Sequence, residues 1–269
     1  MKPKTTHILF DCDNTLVLSE ALAFEACAEL ANEILLSQDV TDRYTGDELM
    51  VDFVGKNFRY VHTKPYILRA IVQSHSDRGM LLDLQDKYKF TIPSEQLEKY
   101  VAMEEDKVIE KLKEKLVPCA GANEILKKLA QSGKYQMGVV SSSAHRRVVA
   151  SLEKANQAVY FPPDRVFSAA TSLPKPTSKP DPAIYLFACE KLGAPPATCV
   201  AVEDSKSGAT SAVRAGIPVI AYVGSYETPE KRNEMAKSLK DIGAAAVMYD
   251  WAEFENCLEQ AGCNVSDAP

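Results

Sequence analysis

No run of about eighteen consecutive apolar residues occurs in this 269-residue chain, so the sequence offers no membrane-spanning helix. The opening MKPKTTH likewise lacks the apolar stretch of a secretory signal. Positive charge is scarce: 31 Lys and Arg against 37 Asp and Glu give a formal net charge of −6. A general nucleic-acid binder carries a basic face that neutralises phosphates, so that class is excluded, and any anionic ligand must meet cations gathered locally. The seven cysteines, at 12, 27, 119, 189, 199, 257 and 263, contain no C-x-x-C pair. An odd number without a framework suits a reducing compartment and reads as small core residues, not ligands. Internal repeats and low-complexity stretches are also missing. His62, His75 and His145 share no metal-ligand spacing and read as surface or packing residues. The expectation is a soluble, cytosolic protein, and Asn264-Val265-Ser266 is read as an accidental glycosylation match.

What is present is ordinary globular material, 46% hydrophobic and 25% charged, enough for one large domain carrying an inserted smaller one. From Ser19 to Leu116 the pattern is helical, with runs such as EALAFEACAELANEILL and EEDKVIEKLKEKL. In the second run Val108, Leu112 and Leu116 form an apolar stripe, and Glu104 with Lys107 and Glu110 with Lys113 form i,i+3 pairs on a face expected to be solvated. After Pro118 short apolar segments (135–141, 165–169, 198–204, 217–223, 244–249) alternate with amphipathic ones (around 121–131, 144–155, 182–192, 207–215, 229–240). Strand and helix taking turns implies right-handed βαβ units, hence an α/β fold whose parallel sheet has helices on both faces. The first strand is His7 to Phe10, so the helical block interrupts the sheet domain. Linkers are expected at 16–19 and 116–121.

Chemistry-bearing residues fall at the ends of these strands. HILFDCDNTL runs from an apolar strand into Asp11 and Asp13, and a strand's carboxyl end in an open α/β sheet faces the ligand crevice. Residues two apart on an extended chain share a face, so both carboxylates are expected to converge on one metal or phosphate. In GVVSSSAHRR, Ser141 and the amides of Ser142 and Ser143 open a helix; they read as a phosphate cradle or as simple capping. Lys179 lies in a loop stiffened by Pro180 and Pro182. Glu203 and Asp204 end the apolar TCVAVED and run into a Ser/Gly turn, the pattern of a divalent-cation site.

In this order and spacing, DCDNT, Ser141, Lys179-Pro180 and Glu203-Asp204-Ser205-x-x-Gly208 resemble the four motifs of the haloacid dehalogenase-like hydrolases. The likeness spans nearly the whole chain and points to the subgroup of β-phosphoglucomutase and phosphoglycolate phosphatase. It implies a Rossmann-like core (1–18 and 117–269) and an inserted all-helical cap of the C1 type (19–116). It also implies Mg²⁺, held by Asp11, the backbone carbonyl of Asp13 and Asp204, with Glu203 auxiliary. Asp11 becomes the nucleophile, Asp13 the acid and base, and Lys179 the cation that holds Asp11 and the transferring phosphoryl, while Ser141 and Ser142 bind its other oxygens. Thr15 orients the loop.

The implied reaction is Mg²⁺-dependent hydrolysis of a small phosphorylated metabolite, such as a sugar phosphate, glycerol phosphate or phosphoglycolate. Two alternatives stay open. A phosphosugar mutase is disfavoured because such mutases resemble this chain except for a His shortly after the first motif, where Ala23 stands. A non-catalytic sensor of a phosphometabolite needs none of the catalytic groups, all of which are present. Asn14 replaces the Gly of close relatives. Lys56, Asn57 and Arg59 are the candidate substrate-recognition residues of the cap, and Arg146 and Arg147 are candidates for added positive potential.

Overall fold

A computed structural model describes residues 4–53 and 79–262. Lys56, Asn57 and Arg59, together with His62 and His75, lie outside the described residues. In chain order the regular elements are β1 (His7–Phe10), α1 (Glu20–Ser37), α2 (Gly46–Phe53), α3 (Met80–Tyr88), α4 (Ser94–Lys115), α5 (Ala122–Ser132), β2 (Gln136–Ser141), α6 (His145–Lys154), β3 (Val166–Ser168), α7 (Ala183–Leu192), β4 (Cys199–Glu203), α8 (Lys206–Arg214), β5 (Val219–Tyr222), α9 (Pro229–Ile242), β6 (Ala246–Met248) and α10 (Phe254–Gln260).

The six strands form one sheet in the order β3-β2-β1-β4-β5-β6, and every neighbouring pair is parallel. β1 lies centrally, and its Phe10 stands opposite Val139 on one side and Val202 on the other. The carboxyl ends of β1, β2 and β4 therefore open side by side, with β2 and β3 on one flank of β1 and β4, β5 and β6 on the other. That crevice is where a doubly wound sheet binds ligands. Parallel strands buried on both faces need continuous apolar runs, and the fully buried CVAVE of β4 is one.

On one face Ile184, Tyr185 and Ala188 of α7, Ala209 and Ala212 of α8 and Leu239 of α9 cover Leu9, Ala201 and Val219. On the other, Phe10 meets Phe161, Trp251 and Phe254 at ring-centroid distances of 6.0 to 6.3 Å. Six cysteines in the described range are buried and unpaired by disulfides, in keeping with their reading as core residues.

The chain divides into two compact units, with boundaries between Ser19 and Glu20 and between Lys115 and Leu116. The helical unit has its own core, in which Phe24, Leu30, Ile34 and Leu35 of α1 pack with Leu49, Leu81 and Leu84. Glu110 and Lys113 are exposed, as on the expected solvated face, whereas Lys107 is half-buried. Lys107, Lys111 and Lys115, spaced i,i+4 on α4, reach across to Glu33, Glu29 and Glu25 of α1 at 2.9, 2.5 and 3.2 Å. The paired numbers run in opposite directions, so the helices are antiparallel, and a row of alternate-sign charges zips them together.

In the sheet unit the entry and exit of this insertion touch. Val17 bridges to Pro118, Leu18 N–H donates to the Val117 carbonyl at 3.0 Å, and Cys119 N–H donates to the Leu16 carbonyl at 2.9 Å.

Candidate active site

Asp11 follows the last residue of β1, and its backbone N–H continues the ladder to the Val202 carbonyl at 2.9 Å. Beyond it the chain leaves the strand. Asn14 takes the left-handed conformation (φ 58°), which asparagine tolerates better than most side chains, and Leu16 N–H returns to the Cys12 carbonyl. The sharp turn follows Asp13, so Asp11 and Asp13 both precede it, close enough for each carboxylate to feel Lys179.

Lys179 reaches the Asp11 carboxylate from the loop before α7. Its ammonium donates to Asp11 Oδ1 at 2.6 Å, to Glu203 Oε1 at 2.7 Å and to the Val140 carbonyl at 2.8 Å, so all three protons are used. The loop is pinned on both sides: Lys179 N–H donates to Ser142 Oγ at 3.2 Å, and Ser211 and Arg214 of α8 donate to the carbonyls of Asp181 and Pro180. Glu203 is fully buried, and Tyr185 of α7 donates to the same Oε1 at 2.5 Å. Desolvation alone would lower the Lys179 pKa, but the facing carboxylates of Asp11 and Glu203 outweigh it and raise it.

Asp204 follows β4. Thr15 donates to its Oδ1 at 3.3 Å, as a loop-orienting hydroxyl would, and Tyr226 donates to its carbonyl at 3.2 Å. Carboxylate oxygens of Asp11, Glu203 and Asp204 lie within 4.8 Å of one another, all on buried residues. Lys179 supplies one positive charge to three acids. Burial is the chief reason that Asp11 is pushed up to about 7, with Glu203 and Asp13 adding repulsion against the pull of Lys179. Oε2 of Glu203 is buried without a hydrogen-bond partner among the described residues. An all-oxygen donor set, an orphaned carboxylate oxygen and an excess of negative charge fit a hard divalent cation.

Asp13 has a different environment. Its Oδ1 accepts from Ser19 Oγ and faces Arg147 Nη2 at 3.5 Å; its Oδ2 accepts from Ser143 Oγ at 2.7 Å and Ser141 Oγ at 3.4 Å. Burial works to raise its pKa, but Arg147, Ser19, Ser143 and Lys179 prevail and hold it below the ordinary value. Ser141 is fully buried, and its oxygen also accepts from Ser143 N–H at 3.0 Å. Of the two arginines, Arg146 is exposed, while Arg147 turns inward.

Three hydroxyls escaped the sequence reading, those of Tyr185, Ser19 and Ser143, the last read only for its backbone amide. Tyr185 has no signal beyond an apolar helix position. Ser19 and Ser143 stand six and 130 residues from Asp13, and only folding joins them.

Residues 5–216 match the haloacid dehalogenase-like hydrolase model. The chain belongs to this family. Among its relatives, the phosphorylated carbohydrates phosphatase of Thermotoga maritima is 27% identical over 255 residues, covering 94% of this chain and 98% of that one. Protein CbbY of Rhodobacter capsulatus is 40% identical over only 68 residues, 25% of this chain and 30% of that protein. The crystal structure of CbbY from Rhodobacter sphaeroides in complex with xylulose-1,5-bisphosphate superposes with a TM-score of 0.65 at 20% identity, covering 93% and 96% of the two chains. That likeness concerns the fold. No helix of the described residues is long and apolar enough to cross a membrane.

Proposed function

We propose that this hydrolase is an Mg²⁺-dependent phosphatase for a small phosphorylated carbohydrate, working through an aspartyl phosphate on Asp11. The observation that carries the reading is the single ammonium of Lys179, fixed between Asp11 and Glu203 beside Asp204 at the strand ends. The names of the Thermotoga relative and of the xylulose-1,5-bisphosphate complex support the substrate class.

Phosphoryl transfer asks for an in-line nucleophile, neutralised phosphate oxygens and an acid for the departing oxygen. A carboxylate oxygen of Asp11 attacks phosphorus, the bond from phosphorus to the substrate oxygen breaks, and Asp13 protonates that oxygen. Asp13 then takes a proton from water, whose oxygen attacks the same phosphorus and releases Asp11 and inorganic phosphate. Lys179 steadies Asp11 and the transferring group, while Ser141 and Ser142 bind phosphoryl oxygens. Asp11, Asp204 and the Asp13 carbonyl would hold Mg²⁺, with Glu203 behind them, and the ion supplies the charge that lets an anion attack an anion. The inserted helical unit, residues 19–116, takes the role of substrate-selecting cap.

Phosphate release from p-nitrophenyl phosphate and from a panel of phosphorylated sugars, with and without Mg²⁺, tests this. Wild type should turn over only with metal, and Asp11→Asn should lose at least about a thousandfold in kcat, the scale on which removal of a covalent nucleophile acts. Equal rates for the two proteins remove Asp11 as nucleophile. A hexose 1-phosphate converted to the 6-phosphate with little free phosphate would make the protein a mutase.

A further inference from the structure

The Asp13 carboxylate is gripped on both oxygens by groups from two segments, Ser19 before α1 and the run 141–147 at the end of β2 and start of α6: Ser19 and Arg147 on Oδ1, Ser143 and Ser141 on Oδ2. With donors on each oxygen, both rotation about the side chain and the tilt of the carboxylate plane are set. The only cation in this set is Arg147, in the first turn of α6 and outside the four motifs, its side chain 20% exposed and that of Asp13 25% exposed.

The support beneath Arg147 is itself built. Ser168, at the end of β3, donates to the Ser143 carbonyl at 2.7 Å, Thr171 donates to Ser168 Oγ at 2.9 Å, and the His145 N–H donates to Thr171 Oγ1 at 3.2 Å. These bonds anchor the start of α6 to the neighbouring strand and fix the direction from which Arg147 approaches. A solvated surface arginine needs no such scaffold.

We infer that Arg147 is a positioning residue for the proton-transfer carboxylate, setting the orientation from which Asp13 delivers a proton to the departing substrate oxygen. The inference rests on the phosphatase reading. It makes a demand that a merely structural ion pair does not. A nitrophenol departs as a stable anion and needs little protonation, whereas a sugar alkoxide cannot leave without it. Loss of Arg147 must therefore harm the sugar phosphate selectively.

The test compares kcat/KM for p-nitrophenyl phosphate with that for the sugar phosphate best cleaved by wild type, both with Mg²⁺, in wild type, Arg147→Gln, Arg147→Lys and Asp13→Asn. Arg147→Gln should lose about 10- to 100-fold on the sugar phosphate and less than about threefold on the nitrophenyl ester, the span expected of partial loss of general acid catalysis. Arg147→Lys should recover part of the loss, and Asp13→Asn should show the same selectivity more strongly. Thermal melting of each variant separates this from unfolding, and the lysine variant decides the matter if the glutamine variant does not fold. Equal losses on both substrates, or no loss on either, overturn the inference. Asp11→Asn run alongside separates the two levels: if it keeps wild-type turnover, the phosphatase reading fails; if it is inactive while the Arg147 losses are equal, only the positioning role fails.

Discussion

Glu203 lies against the bare backbone of Gly208: a Cβ on that glycine would sit 1.8 Å from Glu203 Oε2 and 2.2 Å from its carboxyl carbon. Retreat is blocked, because Oε1 is held by Lys179 and Tyr185. Gly208→Ala should therefore lower stability by about 1–3 kcal/mol, the usual cost of overpacking a tight interior. Phosphate release should fall at least tenfold as Glu203, and Lys179 with it, is displaced. Chemical denaturation and a steady-state assay check this, and an unperturbed variant would mean that the Glu203 carboxylate rests elsewhere.

Removing Lys179 leaves two buried carboxylates facing each other. Its side chain is 3% exposed, and those of Asp11 and Glu203 are 9% and 0%. Breaking a buried pair from one side typically costs about 3–5 kcal/mol. Because Asp11 already sits at about 7 with Lys179 pulling it down, and lies higher without it, Lys179→Met should approach a loss of that size only at pH 9.5 and show a smaller one at pH 6, where Asp11 takes up a proton in place of the missing ammonium. Urea melts at the two pH values measure the difference; identical losses would count against the pairing.

Metal affinity should depend on pH through Asp11, raised from 3.8 to about 7 in the metal-free fold. Between those values the folded chain keeps a proton that the unfolded chain has lost. This contribution to metal-free stability is full below pH 3.8 and lost as pH rises through about 7. A cation must displace that proton, so Mg²⁺ binding should tighten from pH 5.5 to 8 and release protons in the lower half of that range. Titration calorimetry in buffers of different ionisation enthalpy reads both effects. Affinity that stays flat across the range would show that Asp11 is already ionised.

The parallel sheet was legible because its strands are short apolar runs, and the central ones are punctuated by a polar residue at the ligand-facing end, as in HILFD and CVAVED. Those terminal residues, Asp11, Ser141, Glu203 and Asp204, meet in space because parallel strands share one carboxyl edge. What escaped has equally physical causes. FENCLEQ of α10 makes less than two full turns, too short for a 3.6-residue period to register. Tyr185 occupies the core face of its helix like any aromatic residue, and only its partner 18 residues on reveals the hydroxyl's role.

The hydrogen-bonded junction of Val17 and Leu18 with Val117 and Pro118 makes the inserted helices a detour spliced into the sheet protein at one point. Because the chain departs and rejoins between adjacent backbones, insertions of very different length fit the same doorway with little entropic penalty. Residues 20–115 can thus change in length at little cost to the backbone pairing that closes the sheet unit around their two ends.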